Sequence, residues 1–495
     1  MYGRIIIAIY RLVTNQSPNS FRFMLFNSEI FIFFFIVFFT LYWWLKNKLF
    51  WQNILIFVAS YIFYGWWDYR FLALIFISSV ADFSFGLLIE QYKQQKKWFL
   101  GGSILINLGV LGFFKYYNFF ADSFRDVLAI MGMQADVVTL SIVLPVGISF
   151  YTFQTLGYTI DVYRGHIFPE RSLVRFLAYV SFFPQLVAGP IERAANLLPQ
   201  FAYVRQFDYK MAVDGCRMIL LGFFMKVVIA DNLSEGVNTI FADYASLESL
   251  TLFQGAVFFA FQIYCDFAGY SLIAIGVAKL LGINLMKNFN FPYLSRDIGE
   301  FWRRWHISLS TWFRDYVYIP LGGSKRGTLI NVRNIFIIFV VSGFWHGANW
   351  TFVIWGGLNA FYFLPLFLMG KNRKNMNVIA TNRWLPSVRE LLMLLGTFFV
   401  TCIAWVFFRA ENVGHATHYL KRMFTSFSFH VENAYYEFTL LVLGLFLLEY
   451  IQRHKDHLLA VDQLPRIFRW VLYIVMFFTV FNFWGQEASF IYFQF

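Results

Sequence analysis

Apolar residues run in long, nearly unbroken stretches along this chain, near 30–45, 51–67, 71–89, 98–114, 141–160, 212–231, 252–281, 334–350, 351–369, 390–408, 435–452 and 470–487. Most approach the roughly 20 residues that a helix needs to cross a bilayer core. The pattern predicts about eleven or twelve transmembrane crossings. The runs are continuous rather than alternating, which excludes a membrane barrel and leaves helices, whose backbone polar groups are all paired within the span. Two stretches break the rhythm. Pro184 and Pro190 interrupt the run near 173–192, and 290–322 is aromatic but studded with charge. Both read as re-entrant helices, because broken polar backbone at membrane depth is tolerated only where it lines an enclosed cavity. The expected fold is thus all-α and polytopic.

Composition agrees. Of 495 residues, 59% are hydrophobic and only 14% charged, against about 25% charged in a soluble domain. A soluble enzyme would expose large apolar patches with such a makeup, and a disordered chain needs the opposite balance. Three cysteines, Cys216, Cys265 and Cys402, cannot staple a chain of this length. No repeat or low-complexity linker divides the chain.

The net charge of +12 reflects loop bias rather than nucleic-acid binding, since basic residues gather on the cytoplasmic side of membrane proteins. The stretch 232–251 carries Glu235, Asp243 and Glu248 and no Lys or Arg, so it reads as outside. The stretches 282–333, 370–389 and 453–469 are rich in Lys and Arg and read as inside. The first 23 residues, with Arg4, Arg11 and Arg22 around a short apolar stretch, stand apart as an extension or interfacial segment. Met24 opens a stretch resembling a first membrane helix, which makes it a candidate start. Residues 24–495 read as a single membrane-embedded domain.

Ionisable groups inside apolar runs point to function. His346 closes one such run, in Ser342-Gly343-Phe344-Trp345-His346-Gly347-Ala348-Asn349-Trp350. A poorly hydrated histidine stays neutral, which suits a general base, and Gly343 and Gly347 let another chain or a substrate approach closely. A histidine satisfied by a neighbouring carbonyl is the competing reading. A second cluster spans Phe301 to Tyr316, with Arg303, Arg304, His306, Ser310, Arg314 and Asp315 among bulky aromatics. On one helix, Arg303, His306 and Ser310 share a face, which would suit an anionic carrier such as a coenzyme A or phosphopantetheine phosphate. Snorkelling arginines on an interfacial helix would look the same. His415 with His418, and His454 with His457, have helical spacing but no supporting Cys or carboxylate cluster, so no metal site is expected. Asp161 and Asp266 lie in or beside apolar runs and are expected to pair structurally with Arg.

The blocks FWRRWHISLSTWFRDYVYIPLGGS (301–324) and SGFWHGANWTFVIWGGLNA (342–360) resemble the signature of the membrane-bound O-acyltransferases. The likeness extends to LPVGISFYTFQTLGYTIDVYRG (144–165), FFPQLVAGPIER (182–193), CDFAGYSLIAIGVAKLLGI (265–283) and the ending FIYFQF (490–495). The branch it most resembles contains the alginate O-acetyltransferase membrane subunit, with relatives that acetylate peptidoglycan or cellulose or D-alanylate teichoic acids. The resemblance implies a ring of helices around a thin centre with a funnel. It makes His346 the essential base and sets His306 near the cavity. By the same implication Arg303, Arg304, Ser310, Arg314, Asp315 and Asn349 are donor- or substrate-binding candidates, and Tyr492 in the C-terminal tail is a candidate acyl relay. It further implies a multi-pass protein of the bacterial inner membrane. Its donor would be a cytoplasmic acyl thioester such as acetyl-CoA, with no tightly bound cofactor. Its acceptor would be an exported or envelope polysaccharide, reached through a periplasmic acetyltransferase or esterase-like partner.

The expected function is therefore O-acyl transfer, most simply of acetyl. A transporter or lipid-linked sugar flippase is the alternative from another class. Such proteins often carry internal duplications, and none is visible here.

Overall fold

The computed structural model of the chain describes residues 24–133, 139–187, 189–426, 435–484 and 490–491. The described residues are helical with connecting loops and contain no strand. The chain opens with α1 (Glu29–Trp44), whose N-cap Ser28 accepts the Phe31 amide at 3.2 Å. It continues through α2 (Leu49–Gly65), α3 (Leu72–Gln91) and α4 (Lys96–Leu111). A π turn at Gly112–Tyr116 leads directly into α5 (Tyr117–Ile130). Then come α6 (Ile148–Arg164) and three short helices, α7 (Leu173–Ser181), α8 (Phe183–Leu186) and α9 (Ala194–Leu197). Helix α10 (Tyr209–Phe223) passes through a second π turn, Phe224–Ala230, into α11 (Asp231–Ala242).

The 32-residue α12 (Ser249–Leu280) is the central helix, with 89% of its most apolar window buried inside the protein. A helix that is apolar all round sits in a protein core or against lipid, and α12 takes the core. It packs against α8, α10, α11, and the later helices α17 (Val388–Arg409), α18 (Val413–Thr425) and α19 (Tyr436–Ile451). Between α12 and α17 lie α13 (Ile298–Arg304), α14 (Ile307–Phe313), a π turn at Arg314–Tyr318, and the hairpin α15 (Thr328–His346) and α16 (Trp350–Leu368). Helix α20 (Arg466–Asn482) closes the order.

Among the described residues, six helical stretches are long and apolar enough to cross a membrane: Tyr69–Gln91, Lys96–Ile130, Ser249–Leu280, Thr328–His346, Trp350–Leu368 and Val388–Arg409. The sequence pattern counts more crossings, because several apolar runs fold into shorter helices. α1, α2, α19 and α20 have 16 or 17 residues. The run near 141–160 becomes helical only at Ile148, after Pro145 and a left-handed Gly147. The broken segments expected near 173–192 and 290–322 are indeed broken. Their helices α7, α13 and α14 have nine, seven and seven residues, too short to cross.

The π turns among the described residues carry Lys115, Lys226, and Arg314 with Asp315. Lys226 bridges Asp231 at 2.7 Å and Asp266 at 2.8 Å in the interior. The expected arginine partner of Asp266 is therefore a lysine, contributed by the π turn. The partners of Asp161 are likewise not arginines. This carboxylate accepts from the Tyr316 hydroxyl at 2.7 Å and lies 3.4 Å from His166.

Candidate active site

His346 is the last residue of α15 and is buried. Its position depends on the hairpin partner. Gly343 of α15 and Gly356 of α16 face the opposing backbone so closely that a Cβ on Gly343 would lie 3.1 Å from the Phe352 carbonyl carbon, and one on Gly356 3.0 Å from that of Phe339. The close approach expected at Gly343 is thus to the α16 backbone. The imidazole sits in an aromatic box, with Trp345, Phe408 and Trp355 ring centres at 4.9, 5.2 and 5.3 Å.

His306 lies 6.5 Å from His346 between ring centres and is fully buried, with Phe267 at 4.7 Å. Its φ of 41° places it in the left-handed region, a strained state for a non-glycine residue. Asn288 holds that geometry. Its carbonyl accepts the Ile307 amide at 2.8 Å, its Oδ1 accepts the Ser308 hydroxyl at 2.6 Å, and its Nδ2 donates to Ser271 at 3.0 Å. Ser308 also accepts the Ile191 amide at 3.0 Å, tying the re-entrant segment to the site. Both His306 ring nitrogens are buried without a hydrogen-bond partner among the described residues, a state that native structures rarely leave unexplained.

This break corrects the expectation of one helix over 301–316. α13 ends at Arg304, Trp305 is extended, and α14 begins only at Ile307. Arg303, His306 and Ser310 therefore do not share a helical face. The cause is tertiary: Asn290 takes the Arg304 carbonyl and Asn288 takes the Ile307 amide, which removes two bonds a continuous helix would need.

The remaining candidates are placed as follows. Arg303 donates to the carbonyls of Asn372 and Asn375, both at 2.8 Å, clamping the α16–α17 loop. Arg304 bridges Glu300 at 2.9 Å, and Glu300 also takes Arg296 at 3.0 Å. Ser310 donates to the Trp305 carbonyl at 3.3 Å. Arg314 pairs with Asp315 at 2.7 Å on the exposed side, and Asp315 meets Arg193 at 3.1 Å. Asn349 caps α16, accepting the Thr351 amide at 3.0 Å and donating to the Glu411 carbonyl at 2.9 Å. His306 and His346 are thus brought together, whereas the other candidates engage neighbouring protein groups. Of the loop histidines, His457 pairs with Asp214 at 2.9 Å and His415 stacks on Tyr244 at 4.6 Å.

One cavity is lined by His346, and a second lies behind Asn288 and Phe289, which contact Ser308 and the His306 ring. The first, of about 70 Å³, is lined by His346, Trp345, Lys115, Val187 and the chain entering α6. The other, of about 40 Å³, is lined by Asn288, Phe289, Ser271, Tyr264 and Glu449, with Lys287 and Asp456 also on its wall. Lys287 hydrogen-bonds Asp456 and thereby holds that carboxyl below the usual carboxylate range. The buried Glu449 accepts the Tyr264 hydroxyl at 2.5 Å. Lys115, Asn288 and Glu449 were not among the sequence candidates. Lys115 and Glu449 carried a usable signal, a single charge beside or inside an apolar run; Asn288 carried none.

The C-terminal Phe490 and Ile491 are buried, and the Ile491 amide donates to Asp266 at 2.7 Å. Phe490 lies 6.3 Å from Phe267, the ring that touches His306. Tyr492 lies outside the described residues.

A helical membrane protein that buries two neighbouring histidines, one of them lining a small cavity, holds a base suited to proton transfer in a site shielded from bulk water. The family model of the membrane-bound O-acyltransferases, MBOAT, matches residues 166–408. The probable alginate O-acetylase of Pseudomonas aeruginosa is 40% identical over 409 residues, covering 81% of this chain and 75% of that protein. The peptidoglycan O-acetyltransferase of Helicobacter pylori is 35% identical, covering 81% and 80%. The teichoic acid D-alanyltransferase of Streptococcus thermophilus is 34% identical over a shorter stretch, 48% of this chain and 61% of that one. The chain belongs to the membrane-bound O-acyltransferase family and is a multi-pass membrane enzyme that transfers acyl groups to oxygen. That membership settles the choice between acyl transfer and transport in favour of acyl transfer.

Proposed function

We propose that this enzyme O-acetylates hydroxyls of an exported or envelope polysaccharide, taking acetyl from a cytoplasmic thioester such as acetyl-CoA. The observation that carries the reading is the buried pair His306 and His346, with a cavity lined by His346 itself and a second one lined by Asn288, whose side chain holds Ser308 next to His306. The second cavity carries Lys287 and Asp456, from basic loops that the charge bias assigns to the cytoplasm, and suits the donor. The His346 cavity suits the acceptor. His346 takes the hydroxyl proton as the oxygen attacks the thioester carbonyl, and the same proton neutralises the departing thiolate. The inner membrane of a bacterium is the matching location.

The likeness to alginate O-acetylases favours acetate and an exported polysaccharide. A partner on the outer side, an acetyltransferase or esterase-like protein, would deliver the group. Tyr492 follows the anchored Ile491 directly and is our candidate relay. Its phenol is more acidic than a sugar hydroxyl, and its ester remains reactive enough to pass acetate on. Deleting the gene and measuring ester-linked acetate on exported and envelope polysaccharides tests the reading. Unchanged acetate on every polymer would overturn it.

A further inference from the structure

Lys115 sits in the π turn between α4 and α5, a feature that recurs at functional sites. Its ammonium donates to the carbonyls of Trp345 at 2.7 Å and His346 at 2.9 Å, across 230 and 231 residues of chain. It also lies 5.8 Å from the Trp345 ring centre. An ammonium has three N–H donors, so these two carbonyls leave one. Lys115 lines the same cavity as His346, and no carboxylate is among the described residues lining it. A lone cation at membrane depth is costly and is kept where it acts.

The amino end of α6 also lines that cavity. Gly147, at φ 73°, turns the chain into the helix, and no side chain caps that end. Ile148, Ser149 and Phe150 line the cavity. The amino end of a helix of 17 residues carries a partial positive charge of roughly half an electron. A cation and a helix amino end therefore converge on the space beside the catalytic imidazole.

We infer that Lys115 and the amino end of α6 form the anion site for the tetrahedral intermediate of acyl transfer. The inference rests on the acyl-transfer reading of His346. As the hydroxyl oxygen bonds to the thioester carbonyl carbon, its proton passes to His346 and the carbonyl π pair moves onto oxygen. The resulting oxyanion accepts from the third N–H of Lys115. When the C=O bond reforms, the C–S bond breaks and the thiolate takes the proton from His346. Lys115 thus has two roles: it holds the end of α15 in place and stabilises the charge that develops there.

The test uses the full chain with Lys115→Met, Lys115→Gln and His346→Ala, expressed at matched level in a deletion strain. Losing one oxyanion donor costs roughly 10²–10³ in turnover, so Lys115→Met should bring polysaccharide acetate to the level of His346→Ala. A second readout separates charge stabilisation from carbonyl clamping. Thermal stabilisation of the purified protein is compared between a pantetheine methylphosphonate, which mimics the anion, and the neutral pantetheine thioether. The wild type should favour the phosphonate by at least about tenfold in affinity, about 1.4 kcal/mol, and Lys115→Gln should lose that preference. Normal acetate in Lys115→Met beside a dead His346→Ala, or no phosphonate preference in the wild type, overturns the anion site alone. Normal acetate in His346→Ala overturns the reading beneath it.

Discussion

Substituting Gly343 by alanine tests whether the hairpin α15–α16 places His346. The new Cβ would stand 3.1 Å from the Phe352 carbonyl carbon and 3.2 Å from Gly356 Cα, and closer still to the Phe352 oxygen. All three are backbone atoms, so no side chain can swing away. Carbon contacts are optimal at about 3.5–4.0 Å, and relieving the shortest contact, to the Phe352 oxygen, needs the helices to part by roughly 1 Å. Overpacking of this kind costs about 1–3 kcal/mol, which a large membrane domain can survive. The displacement is passed to His346, three residues along the same rigid helix. A misplacement near 1 Å can cost about 10²-fold in rate. Gly343→Ala should therefore insert and accumulate yet lose about 10–10²-fold of its acylation rate. Gly356→Ala, whose Cβ would meet Phe339 and Val340 at 3.0 Å, should behave alike. Gly357→Ala is the control, because nothing lies within 4 Å of its Cβ. Ester-linked acetate per unit of immunodetected protein, in a complemented deletion strain, is the assay. Full acetate in Gly343→Ala, or equal loss in Gly357→Ala, would refute the reasoning.

Further outcomes are expected elsewhere. His346→Ala should abolish acylation, a loss of roughly 10²–10⁴ for an essential base, with normal membrane insertion by protease protection. Glu300→Gln should lower protein level, since it strips the buried Arg296 and Arg304 of their shared carboxylate; breaking such a pair costs about 3–5 kcal/mol, read as a fall in the detergent-solubilised melting temperature. Asn288→Ala removes the side-chain clamp on Ser308 and Ser271 while its backbone carbonyl still accepts the Ile307 amide; it should reduce acylation more than it reduces protein level, because His306 loses part of the support for its left-handed backbone. Tyr492→Phe keeps the ring and removes the nucleophile, so it should abolish acetate on the polymer if the tail relays it; full acetylation would exclude the relay.

The hydrophobic pattern alone determined that this chain is a helical membrane protein, because continuous apolar runs admit no other way to pair the backbone in lipid. The lone histidine closing an apolar run at 346 and the charge-bearing block around His306 were also visible, since ionisable groups in such runs stand out against their surroundings. Tertiary structure decided what the charges touch. Arg303, His306 and Ser310 have helical spacing, but Asn288 and Asn290 break the helix between them through contacts that the local sequence does not encode. Lys226 rather than an arginine meets Asp266, and Lys115 reaches the His346 carbonyl across 231 residues. Lipid tails are as apolar as these side chains, so helix association rests on close backbone packing and interhelical hydrogen bonds, and a uniformly apolar run leaves few local marks of which faces meet. The pairing of α15 with α16 rests on two glycines whose role appears only when the opposing carbonyls are in place, and those contacts set where His346 stands.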